Sequence, residues 1–280
     1  MGDALTRRAL FRRLAIGGGA LALPTAAYAG YVEPDRVVLT RIAVAIPGWP
    51  RELDGLRVGQ ITDTHCDCDH AVERAARAAT LLAGAQPDVV FLTGDFVTVR
   101  ASHWAAPAAE ALKPLTSAPL GAFAVLGNHD WWAGGPHWMS RSLHRLGVRV
   151  LRNESALVGR GRRVCVVGLE CMCERAAQLS QALRRAPREA PRLLMIHEPD
   201  YGAVAPPGFA MQFSGHSHGG QVQLPGFGAL HTPVYAKIYR DHLERAPHHP
   251  VYVSRGVGVV RPGVRLFCSP EVNVVTLRSA

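Results

Sequence analysis

Metal-ligand side chains follow five apolar runs of the sequence, each directly after its run ends. The residues are Asp63 and His65, then Asp95, then Asn128, His129 and Asp130, then His197, and finally His216 and His218. Carboxylate and amide oxygens combined with imidazole nitrogens suit Mn, Fe or Zn better than Ca or a thiolate-held structural zinc. These residue types therefore predict a metal centre if the five segments meet.

The elements that carry these residues predict that the segments do meet. Apolar, β-branched runs indicate strands at 56–62, 88–93, 122–126, 164–169, 193–196 and 211–213, with later candidates at 251–254 and 272–277. Helical composition lies at 71–83, 104–115, 137–146 and 175–183. Such alternation predicts an α/β fold with a largely parallel sheet. Ligands of such sheets bind outside the carboxyl ends of the strands, so we expect the five loops to converge.

Seven of these residues exceed what one metal ion with an open coordination position can use. They are Asp63, His65, Asp95, Asn128, His197, His216 and His218. Two cations that share a carboxylate fit this number better. Two cations about 3.5–4 Å apart acidify a bridging water and clamp phosphate oxygens during an in-line displacement. The pattern therefore predicts hydrolysis of a phosphate ester.

The five blocks resemble the calcineurin-like metallophosphoesterases in order and spacing across roughly residues 55 to 220. The segments 125–130, 197–200 and 214–221, with 252–256 and Pro270-Glu271, look more specifically like a bacterial exported subgroup with twin-arginine signals. The resemblance implies two mostly parallel or mixed β-sheets, packed together and flanked by helices. It covers nearly all of the chain after the first 29 residues.

The resemblance also implies a role for each residue. One metal would be held by Asp63, His65 and His218, the other by Asn128, His197 and His216, with Asp95 bridging the two. His129 would face the phosphate and stabilise its charge or protonate the leaving oxygen. Asp130 would orient His129, although a carboxylate there could equally cap a loop or pair with an arginine.

The implied reaction is in-line attack of a metal-bridging hydroxide on a phosphodiester, small or lipid-linked, with Mn favoured over Fe or Zn. Phosphomonoester hydrolysis is the nearest alternative. A non-catalytic, exported metal-binding or scaffold protein on the same fold is the other. In the family's protein phosphatases an arginine stands where this chain has Val99, so a protein-phosphatase site is not expected.

Three nearby residues leave alternatives open. Asp67 follows the first block and is either an additional ligand or a solvated loop residue. Trp131 and Trp132 follow Asp130 and either wall the leaving-group pocket or pack in the core.

The N-terminus has the layout of a twin-arginine export signal. Arg7 and Arg8 precede an apolar run at 14–24, and the small-x-small triplet at 27–29 offers a cleavage point. We therefore predict a signal over residues 1–29, a catalytic domain over 30–280, and export to the periplasm or cell envelope by the twin-arginine machinery. A retained membrane anchor or amphipathic helix is the alternative, and peripheral membrane association is compatible with either.

Charge and cysteine content add two limits. The net charge is +9, but the basic residues are scattered arginines with Lys113 and Lys237 as the lysines, so specific nucleic-acid binding is not expected. The six cysteines include two Cys-x-Cys pairs, whose spacing is shorter than that of structural zinc sites. These pairs are expected to be small buried side chains, and disulfide pairing cannot be deduced from the spacing.

Overall fold

The computed structural model describes residues 22–159 and 163–280, whose strands form two six-stranded sheets and one small hairpin. The strands are β1 (Val38–Ile46), β2 (Leu56–Ile61), β3 (Val89–Leu92), β4 (Ala122–Ala124), β5 (Arg149–Val150), β6 (Glu154–Val158), β7 (Val164–Gly168), β8 (Arg192–Met195), β9 (Met211–Ser214), β10 (Gln223–Leu224), β11 (Gly228–Ala229), β12 (His242–Arg245), β13 (Pro250–Val253) and β14 (Glu271–Ser279). The α-helices are α1 (Asp69–Gly84), α2 (Ala101–Ala111), α3 (Asn128–Trp132), α4 (Pro136–Arg145) and α5 (Leu179–Ala182).

Both sheets are mixed, with a parallel centre. The first has the order β1-β14-β2-β3-β4-β5 and is parallel except between β14 and β2. The second has the order β12-β13-β9-β8-β7-β6 and is antiparallel only at its two edge pairs. Strands β2, β3 and β4 of the first sheet, and β8 and β9 of the second, therefore point their carboxyl ends into the same region.

The two sheets pack face to face through a shared apolar layer. In that layer Phe91 of β3 meets Phe213 of β9 edge to face, with ring centroids 5.1 Å apart. Helices α1 and α2 cover the outer face of the first sheet, and α5 lies against the outer face of the second. Central strands buried on both faces explain the continuous apolar runs of the sequence. The predicted α/β architecture of two packed sheets flanked by helices is confirmed.

Several elements differ from the sequence prediction, among them two helices and the unpredicted strands β1, β5, β6, β10, β11 and β12. The helix expected at 175–183 is only the single turn α5. The helix expected at 104–115 ends at Ala111 and is followed by the 3₁₀ turn Lys113–Ser117. Pro114 in that turn lacks the N–H that a helical hydrogen bond needs. Strand β1 has no counterpart among the predicted strands. It is a half-exposed edge strand paired with β14 from the other end of the chain, so its sequence lacks the signature of a buried strand.

The described part of the N-terminal segment packs on the body of the protein. The Ala29 carbonyl accepts a hydrogen bond from the Arg265 N–H at 2.9 Å. The buried carboxylate of Glu33 accepts hydrogen bonds from the N–H groups of Phe267 and Cys268. The predicted Arg7-Arg8 motif lies outside the described residues, and cleavage after Ala29 stays a prediction. Within residues 22–159 and 163–280, no helix combines the length and apolar character needed to span a bilayer.

Candidate metal centre

The five predicted loops come together at the carboxyl ends of β2, β3, β4, β8 and β9. Three sets of three ligand atoms form there, each within 4.8 Å, and one of them, from His65, Asp95 and His129, overlaps the other two. The first set comes from Asp63, His65 and His218, and the second from Asp95, His197 and His216. All six residues are buried. The structure thus brings six of the predicted ligands together, and Asn128 lines the neighbouring cavity with Asp95, His216 and His218.

The first set is centred on the Oδ1 atom of Asp63. This oxygen lies 3.3 Å from His218 Nε2 and 3.9 Å from His65 Nε2, and the two ring nitrogens are 3.1 Å apart. The other oxygen, Oδ2, accepts hydrogen bonds from the Thr62 hydroxyl and the His216 N–H at 2.7 and 3.0 Å. Burial lowers the pKa of His65 to about 3, so this imidazole is neutral. Neutral imidazoles facing a carboxylate are a set of metal-ligand atoms.

In the set of Asp95, His197 and His216, hydrogen bonds to backbone carbonyls determine which ring nitrogens carry protons. His197 Nδ1 lies 2.7 Å from the Thr93 carbonyl, and His216 Nε2 lies 2.7 Å from the Val234 carbonyl. Carbonyls only accept, so both nitrogens donate and leave their other nitrogens as lone pairs. Those lone pairs are 3.2 Å apart, and Asp95 Oδ2 is 3.1 Å from His197 Nε2. Three acceptors in such contact require a positive charge among them.

The electrostatics of the pocket favour that charge. When no metal ion is bound, a proton on His197 Nε2 can supply that charge: burial opposes it, yet nearby Asp95 raises the pKa of His197 well above its ordinary value. Burial alone would raise the pKa of Asp95, but the facing charge of His197 outweighs it and lowers that pKa. Asn128 Oδ1 and His218 Nδ1 are also buried and have no hydrogen-bond partner among the described residues. An amide oxygen left without a donor fits coordination to a cation.

The backbone at the site is strained in a consistent way. Asp63, His65, Asp95, His216 and His218 all have left-handed φ angles, between 47° and 66°. Non-glycine residues adopt this conformation only where surrounding contacts impose it, at a cost of about 1–3 kcal/mol each. The contacts here include the hydrogen bond from the Gly258 N–H to the Asp63 carbonyl, 2.6 Å long. The fold therefore gives up stability to aim these ligands inward.

Asp130 has a different position from the one that the resemblance implied. Its fully buried carboxylate accepts backbone hydrogen bonds from Asp95, Phe96, Val97 and Gly127 at 2.9 to 3.3 Å. Burial, and then the charge of Asp95, raises the pKa of Asp130 to about 7. The role of orienting the His129 ring is thus corrected to one of tying the loop of Asp95 to the start of α3. Asp130 is a positioning residue.

His129 lies at the mouth of a cavity of about 470 Å³ that opens onto the site. Its N–H donates to Asp95 Oδ1 at 2.8 Å, and its ring packs edge-on against Trp132, with centroids 5.1 Å apart. Trp132 lines the cavity, which agrees with the alternative that it walls the leaving-group pocket. Asp67 is exposed and belongs to none of the ligand sets.

Most of the residues on the far wall of this cavity were not predicted from the sequence. The wall is formed mainly by apolar residues, with His231 and Arg261 among them: Val222, Leu230, Pro233, Val234, Val260, Pro262 and Val264. They come from the irregular region after β9, where no periodicity marks a strand or helix.

A methyl group at Gly127 should damage the site. An added Cβ would lie 2.1 Å from Asp95 Oδ1, so we expect Gly127→Ala to displace this carboxylate and cost about 1–3 kcal/mol through overpacking. Urea denaturation and an esterase assay measure the two effects. Gly84→Ala is the matched control, because a Cβ at the end of α1 meets open space. A Gly127→Ala variant with wild-type stability and activity would contradict the close approach of Gly127 to Asp95.

This ligand set on two packed α/β sheets defines the class of divalent-metal phosphoesterases. The family model described as calcineurin-like phosphoesterase matches residues 56–220, more than half of the chain, and the chain belongs to this family. The protein is accordingly a metal-dependent hydrolase that acts on phosphoric ester bonds.

Three relatives illustrate the similarity. The chain is 28% identical to the metallophosphoesterase YkuE of Bacillus subtilis over 90% of its own length and 89% of the relative's. It is 32% identical to the phosphodiesterase YaeI of Escherichia coli, over 69% of this chain and 71% of YaeI. It is 25% identical to the UDP-2,3-diacylglucosamine pyrophosphatase LpxG of Chlamydia muridarum, over 89% of this chain and 91% of LpxG.

Proposed function

We propose that this protein is an exported phosphodiesterase that uses two divalent cations. The observation that carries the proposal is the position of Asp95 Oδ2, which lies 3.1 Å from His197 Nε2 and 3.7 Å from His65 Nε2. One carboxylate oxygen thus faces a histidine of each ligand set. When bound, two cations supply an activated water and neutralise charge on the phosphate.

The proximity of the side chains and the family resemblance together support an assignment of ligands to the two cations. Asp63, His65 and His218 would hold one, Asn128, His197 and His216 the other, with Asp95 shared. Mixed oxygen and imidazole ligands suit Mn, Fe and Zn, and the oxygens of two carboxylates and an amide make Mn our first choice. His129 is left for the substrate: it faces the cavity, where it can stabilise the phosphoryl charge or donate a proton to the leaving oxygen.

The cavity supports an ester with an apolar substituent. A diester has a second organic group that a monoester lacks, and the wall of Val222, Leu230 and Val260 gives such a group an apolar surface. Phe227, Leu230 and Val234 are exposed by 62% or more, in the same segment of the chain. YaeI is named as a phosphodiesterase and LpxG as a pyrophosphatase of a diacylated nucleotide sugar. We therefore propose a lipid-linked phosphodiester, reached from the surface of a membrane.

The assay that tests this function compares a diester with a monoester. We expect bis(p-nitrophenyl) phosphate to be hydrolysed faster than p-nitrophenyl phosphate by the Mn-loaded protein, with activity lost in chelator and restored by Mn. Faster monoester hydrolysis would instead identify a phosphomonoesterase. Absence of turnover on both substrates by protein that binds Mn would leave a metal-binding scaffold as the function.

Export by the twin-arginine route gives a separate prediction. We expect Arg7→Lys together with Arg8→Lys to retain the protein in the cytoplasm, folded and active, because this pair is a receptor-read address. Folding before export also suits a site whose ligands come from five loops. These ligands can select a metal only after the loops have come together in the folded protein. Cell fractionation followed by the diesterase assay of each fraction measures the result.

The matched control replaces the other arginine pair, Arg12 and Arg13, by lysine, which keeps the charge and should leave export unchanged. Normal export of the Arg7 and Arg8 variant would refute the address. Cytoplasmic protein that stays inactive with added Mn would refute folding before export.

A further inference from the structure

A second cluster of ligand-type side chains lies behind the metal centre. Cys171 and Cys173 follow strand β7, and Glu198 follows β8 directly after His197. The Cys171 thiol donates to Glu198 Oε1 at 2.7 Å, and the Cys173 N–H donates to the same oxygen at 3.2 Å. One ligand atom of each residue lies within 4.8 Å of the others. Two neighbouring strands thus bring two sulfurs and a carboxylate to one point.

Glu198 is incompletely satisfied where it lies. Its side chain has no exposed surface, and its second oxygen, Oε2, has no hydrogen-bond partner among the described residues. A buried carboxylate oxygen without a partner is costly, because it has lost its contacts with water and gained no others. Cys173 is less buried than Cys171 and lines the large cavity, so the cluster has a path to solvent. These features are those of a binding site with one open side.

We propose that Cys171, Cys173 and Glu198 bind a third divalent cation, of the thiophilic type represented by Zn²⁺. Two thiolates and a carboxylate are three ligands, and the open side towards the cavity leaves a fourth position for water. Thiolates select Zn²⁺ over Mn²⁺, so this site and the oxygen- and imidazole-lined centre would prefer different metals. Binding displaces the thiol protons, including the one that Cys171 donates to Glu198.

The Cys-x-Cys spacing alone is too short for the usual zinc motif, and for that reason it predicts no metal. Glu198 supplies the missing ligand from a strand that is adjacent only in the fold. The loop also reaches the catalytic cavity, because Glu174 accepts a hydrogen bond from Trp132 Nε1 at 2.7 Å. Trp132 in turn contacts His129. A cation here would fix the loop that supports this side of the cavity.

Cobalt substitution tests the proposal without relying on activity. The chelator-treated, fully reduced protein is loaded with Co²⁺, and we expect a sulfur-to-cobalt charge-transfer absorption, which ligands from the Asp, His and Asn centre cannot produce. Zn²⁺ loading should give one more bound ion per chain in the wild type than in the variant Cys171→Ser with Cys173→Ser. Glu198→Gln, which keeps both thiols and nearly the same volume, should weaken Zn²⁺ binding by at least about 10-fold.

The matched control is Cys165→Ser with Cys68→Ser, which likewise removes one buried thiol and one that is not fully buried. It should keep both the absorption band and the zinc content. Absence of the band in wild-type protein with titratable Cys171 and Cys173 thiols would overturn the proposal, as would a band retained by the Cys171 and Cys173 variant. A Cys171–Cys173 disulfide that persists after reduction and excludes Co²⁺ would also overturn it.

Discussion

The Asp95→Asn variant is expected to lose at least about 10³-fold in metal-dependent esterase turnover. This loss is larger than the usual effect of removing one hydrogen-bond donor that stabilises charge in a transition state. The reason is that Asp95 Oδ2 faces His197 of one ligand set and His65 of the other. An amide keeps the shape but lacks the negative charge that holds two cations close together. Metal content should therefore fall along with turnover, and elemental analysis of the purified variant measures it.

Two further measurements separate this effect from unfolding. Asp95 Oδ1 accepts the His129 N–H, and an asparagine oxygen can still accept it, so far-UV circular dichroism should be unchanged. Asp67→Asn removes an exposed carboxylate close to the same centre and should keep metal and activity. If Asp95→Asn retained full metal occupancy with wild-type turnover, the shared-ligand assignment would be wrong.

The sequence predicts the central part of the fold well, for a physical reason. Strands such as β3 and β8 are buried on both faces, so their apolar runs are continuous and end abruptly at polar residues. Strand β1 is not predicted because only one face of this edge strand is buried, so its sequence has no continuous apolar run. The parallel pairing of β1 with β14 joins residues more than 200 positions apart, and no local pattern encodes that contact.

Some features of the candidate site can likewise be predicted from the sequence, whereas others depend on tertiary contacts. The ligand types and their strand-end positions are local features, and the structure brings six of these side chains together in overlapping sets. The left-handed backbone of residues such as His65 is imposed by tertiary contacts and has no sequence signal in a non-glycine residue. The role of Asp130 depends on four backbone N–H groups, three of them in another loop at Asp95, Phe96 and Val97. The apolar cavity wall lies in irregular structure, where hydrophobic periodicity gives no guide.

His129 gives the second large expected effect, and it tests the division between metal ligands and substrate-facing groups. Its ring lies within reach of both His65 and Asp95, so the geometry places it close to candidate ligand atoms as well as at the cavity. Unlike the buried His197 and His216, however, it is only partly buried. It lines the cavity beside Trp132. We therefore expect His129→Ala to keep near-wild-type metal content while losing roughly 10²–10⁴ in kcat, the range for general acid catalysis.

The identity of the leaving group decides which role His129 has. If it donates a proton to the leaving oxygen, the defect of His129→Ala should shrink for diesters of acidic phenols such as p-nitrophenol and grow for diesters of alkyl alcohols, which cannot depart unprotonated. If it only stabilises charge on the phosphoryl oxygens, the defect should be the same for both series. His216→Ala is the matched comparison, because its ring is buried and its Nδ1 faces His197 Nε2 at 3.2 Å. A loss of metal in His129→Ala as large as that in His216→Ala would make His129 a ligand and refute its assignment to the substrate.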